Sequence, residues 1–138
     1  MIVLDTNVVS EVMRTVPEPG VLAWLERHRD EGLLTTAVTV AEIGYGITRL
    51  PAGRRRLSLA RAAGEIFASF PEQILPFDVA AAVAYAQLVT ERDRLGAPLD
   101  GFDAQIAAIC RSRGAALATR NTKDFLDTGI TLVDPWTA

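Results

Sequence analysis

The stretch Met1–Asn7 reads MIVLDTN: an apolar run that stops abruptly at an acid and two small polar residues. An unbroken apolar run this short reads as a strand buried on both faces. That is the mark of a parallel sheet covered by helices rather than of a half-solvated antiparallel one. Asp5 ends the strand. Working outward, Asn7–Met13 is expected to be helical, and PEPG turns the chain into a second amphipathic helix, Val21–His28. Leu33–Thr36 reads as the next strand. Thr39 opens a helix that stops at Pro51, where the proline ring and missing N–H break it. Arg54–Phe70 follows as a long helix and ILPF as a third strand. Asp78 caps the alanine-rich helix VAAAVAYAQLVTERDRL, ended by Gly96 and Pro98, and Asp103–Arg113 is closed by Gly114. Ala115–Thr119 is strand four, RNTKD a loop, Phe125–Gly129 a helical turn and Ile130–Val133 strand five. Strands alternating with helices predict an α/β protein: a three-layer α/β/α sandwich around a parallel sheet of about five strands. The whole of residues 1–138 reads as one domain.

Composition narrows the chemistry. Hydrophobic residues make up 49% and charged residues 22%, ordinary for a globular chain, and the net charge is −3. The whole-molecule field therefore does not attract nucleic acid, and any such contact requires a local basic patch. The cations are 13 arginines and one lysine, a composition suited to bidentate phosphate contacts. Cys110, alone in the apolar run AQIAAIC, reads as a buried thiol in a reducing compartment. His28, the only histidine, lies among the charges of LERHRDE and reads as solvated, which excludes a histidine-based triad or zinc site. No apolar run approaches the roughly 20 residues of a membrane helix. The opening strand is not the core of a signal peptide, so a cytoplasmic location is expected.

Four acids stand where strands or loops meet helices: Asp5, Glu42 in TVAEIGYGI, Asp103 in LDGFDAQIAAI and Asp124 in TRNTKDF. Each has an ordinary explanation. Asp5 and Asp124 could cap helices, and Thr39 with Glu42 spells a capping box. Asp103 could be a first-turn acid favoured by the helix dipole, or the third position after a capping Asp100. Together they exceed what capping needs, because a parallel α/β sheet gathers its strand ends at one edge. Carboxylates crowded there raise one another's pKa unless a cation joins them. Oxygen donors suit Mg²⁺ or Mn²⁺, ions that commonly act on phosphate esters, and the pattern points to a metal-dependent nuclease. Glu11, Asp78 and Asp100 lie near this edge as supporting candidates, whereas Glu26, Asp30, Glu31, Glu65, Glu91 and Asp93 read as a solvated surface. Arg54, Arg55 and Arg56, with Arg61, form a basic patch that either contacts RNA or is simply a solvated helix face. Arg120, Asn121 and Lys123 flank Asp124 in a loop suited to holding a phosphate. Trp24 and Trp136 are expected in the core.

The stretches LDTNVVSE, PGVLAWL, TVAEIGYGI, LPFDVAAAVAYAQL, FDAQIAAIC, ATRNTKDF and VDPW occur in order over nearly the whole chain. In this the sequence resembles the PIN-domain ribonucleases, and among them the VapC/FitB-like toxins of type II toxin–antitoxin pairs. The resemblance implies a sheet of strand order 3-2-1-4-5, a homodimer, and Mg²⁺- or Mn²⁺-dependent endonuclease activity on RNA. It also implies an antitoxin partner, VapB-like, whose C-terminal segment crosses the acidic pocket. Asp5, Glu42, Asp103 and Asp124 match the family's catalytic, metal-holding acidic quartet, with Asp5 and Asp103 its principal metal ligands and Thr119 and Asn121 its supporting polar positions. Two other readings stand beside this one. A receiver-type phosphoacceptor domain also gathers acids, a Thr and a Lys at strand ends, but needs an adjacent acidic pair where this chain has Asp5-Thr6. The second is a PIN-like scaffold without catalysis.

Overall fold

A computed structural model describes residues 1–70 and 72–138 of the chain. Among them five parallel strands form one sheet: β1 (Ile2–Leu4), β2 (Leu33–Thr36), β3 (Ile74–Leu75), β4 (Ala116–Ala118) and β5 (Leu132–Val133). Their order is β3-β2-β1-β4-β5, as the family resemblance implies. A receiver-type domain has the order 2-1-3-4-5, so the topology removes that alternative. The helices are α1 (Thr6–Val12), α2 (Pro19–Arg27), α3 (Ala37–Thr48), α4 (Arg54–Ala68), α5 (Val79–Arg94) and α6 (Gly101–Arg113).

The central strand shows why three layers form. Successive side chains of a strand point to opposite faces. Val3 packs with Leu88 of α5, Ile106 and Ile109 of α6 and Leu117 of β4. Ile2 and Leu4 face the other way, onto Val8, Val9, Val21, Trp24, Ile43 and Ile47 from α1, α2 and α3. Val3 stands level with Leu34 on one side and Leu117 on the other, so the apolar run is enclosed above, below and at both edges.

Element ends shift by a residue or two where side chains compete for backbone. The helix expected to open at Thr39 begins at Ala37, because Thr36 caps it: its hydroxyl accepts from the Thr39 amide at 3.1 Å. The helix expected at Asp103 begins at Gly101, capped by Asp100, whose carboxylate accepts from the Phe102 amide at 3.0 Å. Gly114 ends α6 at φ 63°, a left-handed position that only glycine adopts without cost. A 3₁₀ turn forms at Thr122–Phe125, earlier than the turn expected at Phe125–Gly129. Only one face of the small-residue run of α5 packs within the chain: Ala81, Ala84 and Leu88 are buried, while Val79, Ala80, Ala82, Val83 and Ala86 stay exposed. His28 is half-buried rather than solvated: its ring lies on Trp24, centroids 4.5 Å apart, and it pairs with Glu31. Cys110 is fully buried, which pushes its thiol pKa up to about 12 and keeps it inert. Among the described residues no helix is long and apolar enough to cross a membrane.

Candidate active site

Parallel strands β1 and β4 end side by side, and the first residues beyond them build a polar lattice. Asp5 caps α1 with one carboxylate oxygen, Oδ1, which accepts from the Thr6 amide at 2.8 Å. Its Oδ2 accepts from the Thr119 hydroxyl at 2.7 Å and from the Asn7 amide nitrogen at 3.4 Å. Asn7 also donates to the Thr119 hydroxyl at 3.2 Å, and its own carbonyl accepts from the Arg120 amide at 3.2 Å. The Asn121 amide donates to the Thr119 hydroxyl at 3.1 Å. Capping and site-building are thus the same act for Asp5: the residue that starts α1 is also fixed to the end of β4.

Glu42 is held from the other side. The capping-box reading does not hold, because Thr36 caps α3 and Glu42, one turn in, is free to face the sheet edge. Its Oε1 accepts from the Thr6 hydroxyl at 2.8 Å. Thr6 is 3.0 Å from the Thr39 hydroxyl, which is 3.4 Å from that of Thr36, so a chain of hydroxyls runs from the end of β2 to the carboxylate. Asp103 stands at the third position of α6, after the Asp100 cap. The helix start therefore decides between the two: Asp100 is spent on capping and Asp103 faces the cavity.

Asp5, Glu42 and Asp103 line one open cavity of about 470 Å³, together with Asn7, Glu11, Arg120, Asn121 and Trp136. Their electrostatics show what crowding costs. Burial raises the pKa of Asp5, opposed by the bonds from Thr119 and Thr6 and reinforced by the field of Asp124. Glu42 is raised by burial, with Asp5 and Asp100 adding to it against the Thr6 bond. Among the described residues Asp103 has no such donor. Burial, then the fields of Asp5, Asp100, Glu42 and Asp124, lift it from 3.8 to about 7. The donors are all hard oxygens, without nitrogen or sulfur, the chemistry that suits Mg²⁺ or Mn²⁺. Among the described residues no three His, Cys, Asp or Glu side chains stand close enough to grip one ion together. The acids share a cavity without meeting at a point, as like charges held apart by Thr119 and Thr6 should.

The PIN domain family matches residues 2–130. The chain belongs to that family. It is 39% identical to the VapC ribonuclease Y4jK of Sinorhizobium fredii, over 99% of this chain and 98% of the relative. It is 36% identical to Toxin FitB of Neisseria gonorrhoeae over 99% of both. The solved structure of FitAB bound to a DNA fragment superposes with a TM-score of 0.89 at 35% identity, covering 99% of this chain and 96% of that one.

The fourth acid of this PIN domain sits apart. Asp124 lies in the exposed 3₁₀ turn after β4 and does not line the cavity, although its field reaches Asp5 and Asp103. Lys123 is exposed beside it, also outside the cavity. The turn is anchored by a group that sequence reasoning passed over. Arg92 of α5 is buried, and its guanidinium donates to the carbonyls of Ala97 (2.7 Å), Asp124 (3.2 Å) and Leu126 (2.6 Å). In the sequence it sits in TERDR among apparently solvated charges, and only the helical period places it on the face of Leu88. Thr6 and Asn7 were also missed as site residues, though small hydrogen-bonding side chains directly after a buried strand end are a usable signal. Glu11 is buried and lines the cavity, held by Arg14 at 3.1 Å and the Glu18 amide at 3.1 Å. Asp78 caps α5 at its own end of the sandwich, accepting from the Ala81 amide at 2.9 Å. Trp136, expected in the core, packs against it only partly buried and reaches the cavity rim, its ring carrying the Arg120 guanidinium 4.9 Å from the centroid.

Proposed function

We propose that this PIN domain is a Mg²⁺- or Mn²⁺-dependent endoribonuclease and the toxin of a VapBC-type toxin–antitoxin pair. One observation carries the reading: Asp5, Glu42 and Asp103, from three separate elements, line a single open cavity in which each carboxyl is harder to ionise than normal. A scaffold protein gains nothing from such repulsion, whereas a cation there converts it into attraction. The relatives named VapC ribonuclease and Toxin FitB support the same reading.

Asp5, Glu42 and Asp103, which stand apart in the cavity, would be drawn closer together to hold the ion, with Asp124 joining through its field. When bound, the metal would supply a water of lowered pKa and a positive charge against the phosphate oxygens. The protein's own share is positioning. Thr119 and Asn7 fix the Asp5 carboxylate, Thr6 fixes that of Glu42, and the Arg120 guanidinium, laid on Trp136 at the rim, faces an incoming phosphate. With His28 on the α2 side of the fold, no imidazole reaches the cavity to act as general base. The chain would act in the cytoplasm on RNA and be silenced there by a VapB-like antitoxin, a pairing supported by its likeness to FitAB. It would also form a homodimer, to which the exposed Val79 and Val83 of α5 would contribute. Light scattering at micromolar concentration should return twice the chain mass, and a monomer would contradict the dimer.

Single-turnover cleavage of a labelled RNA, with Mn²⁺ present, tests the enzymatic reading. The wild-type chain should cut and Asp103→Asn should not, with its fold intact by circular dichroism. Equal cleavage by the variant would remove Asp103 from the chemistry.

A further inference from the structure

The acid cavity does not end at its rim. A second groove of about 380 Å³ adjoins it and shares Thr6, Ser10, Arg14 and Glu42 with it, so the two form one continuous trough. The far half lies between α1, α3 and α4, and its character changes sharply. Its floor is apolar, including Ile43, Ile47 and Leu59, while Arg14, Arg49 and Arg55 line it. Arg49 is steadied by Tyr45, whose ring lies 5.5 Å below the guanidinium. Arg55 is one of three consecutive arginines at the start of α4, yet neither Arg54 nor Arg56 lines the groove. The helix turns them elsewhere.

We propose that this groove is the subsite that carries the RNA strand away from the cleaved bond, with Arg49 and Arg55 each taking a backbone phosphate and the apolar floor receiving a base. The proposal rests on the endoribonuclease reading and sharpens it. In the first cavity Asp5, Glu11, Glu42 and Asp103 outnumber Arg14 and Arg120, and the groove continuous with it adds the further cations Arg49 and Arg55. Planar guanidinium groups beside an apolar floor match what single-stranded RNA presents, alternating phosphates and flat bases. Arg14 is already engaged by Glu11 and serves as the junction between the two halves.

The test uses the full chain carrying Asp103→Asn, which should bind RNA with Mn²⁺ present without cutting it. Binding of a fluorescent single-stranded RNA is measured by anisotropy across a salt series, for this parent, for added Arg49→Gln plus Arg55→Gln, and for added Arg54→Gln plus Arg56→Gln. Removing one phosphate-binding arginine should lower the log–log salt slope by about 0.7, so the groove pair should flatten it by about 1.4. The Arg54/Arg56 pair, with the same charge change, should leave the slope close to the parent's. Equal flattening by both pairs would overturn the subsite in favour of a diffuse basic face. No flattening by the groove pair would overturn it too, and would mark the groove as a seat for a protein segment. A wild-type chain that cuts RNA while the groove pair binds normally sinks only the subsite. A chain that neither binds nor cuts RNA sinks the endoribonuclease reading with it.

Discussion

Asp5 and Asp124 follow neighbouring strands of the same sheet, and each is an acid met after a strand has ended. The fold treats them in opposite ways. Asp5 directly continues a strand enclosed on all sides, so it is buried, caps α1 and takes bonds from Thr6, Thr119 and Asn7. Asp124 lies six residues beyond β4, on the exposed side of a turn held by the buried Phe125 and by carbonyl bonds to Arg92. An acid next to a buried strand has its geometry dictated by the sheet. An acid on a turn depends on whatever anchors that turn.

The largest effect should separate these two acids directly. Asp5→Asn should reduce single-turnover RNA cleavage by roughly a thousandfold, the scale of losing a principal electrostatic group. Asp124→Asn should reduce it by only about tenfold, as suits a group acting through its field. Similar losses for both would show that the turn closes onto the cavity when RNA and metal bind.

A smaller effect should come through Arg92. Arg92→Met leaves the carbonyls of Ala97, Asp124 and Leu126 without their donor and should cost about 2–3 kcal/mol in denaturant unfolding. If the guanidinium matters to chemistry only by anchoring the turn, Arg92→Met combined with Asp124→Asn should cut no more slowly than the worse single variant. Additive losses in that double-mutant cycle would give Arg92 a role of its own.

The smallest effect is on stability against pH. Asp103 is raised from 3.8 to about 7 in the folded chain, so between those values the folded state holds a proton that the unfolded state has released. Stability without metal should therefore fall as pH rises from about 4 to 7, and Asp103→Asn should flatten the fall. Asp5 and Glu42 are raised in the same sense, so some slope should survive. Melting temperatures in EDTA across that range would show it, and a slope unchanged by the substitution would deny Asp103 its crowded environment.

What the sequence revealed, and what it concealed, follows the same division. Ile2–Leu4 announced a doubly buried strand because nothing polar interrupts it, and Asp5 was legible as the end of that strand. Glu42 was ambiguous because Thr39 could cap α3 as well as Thr36, a choice made by the tertiary position of β2 and not by local spacing. Trp136 looked like core because an aromatic near the chain's end says nothing of what approaches it. Arg120, brought in from β4, holds it at the rim. Arg92 was invisible for the opposite reason: burial of an arginine depends on carbonyls more than thirty residues away. Of the three arginines that open α4, only the helical phase of the finished structure distinguishes Arg55.

The central claim is that Asp5, Glu42 and Asp103 exist to hold a divalent cation. The direct measurement is RNA cleavage by the wild-type chain, freed of metal with EDTA and then titrated with Mn²⁺, with its melting temperature followed in parallel. Cleavage should be absent in EDTA and appear with Mn²⁺, and the melting temperature should rise over the same concentrations as the ion relieves the carboxylate repulsion. Cleavage that persists undiminished in EDTA, or a melting temperature indifferent to Mn²⁺, would contradict the account.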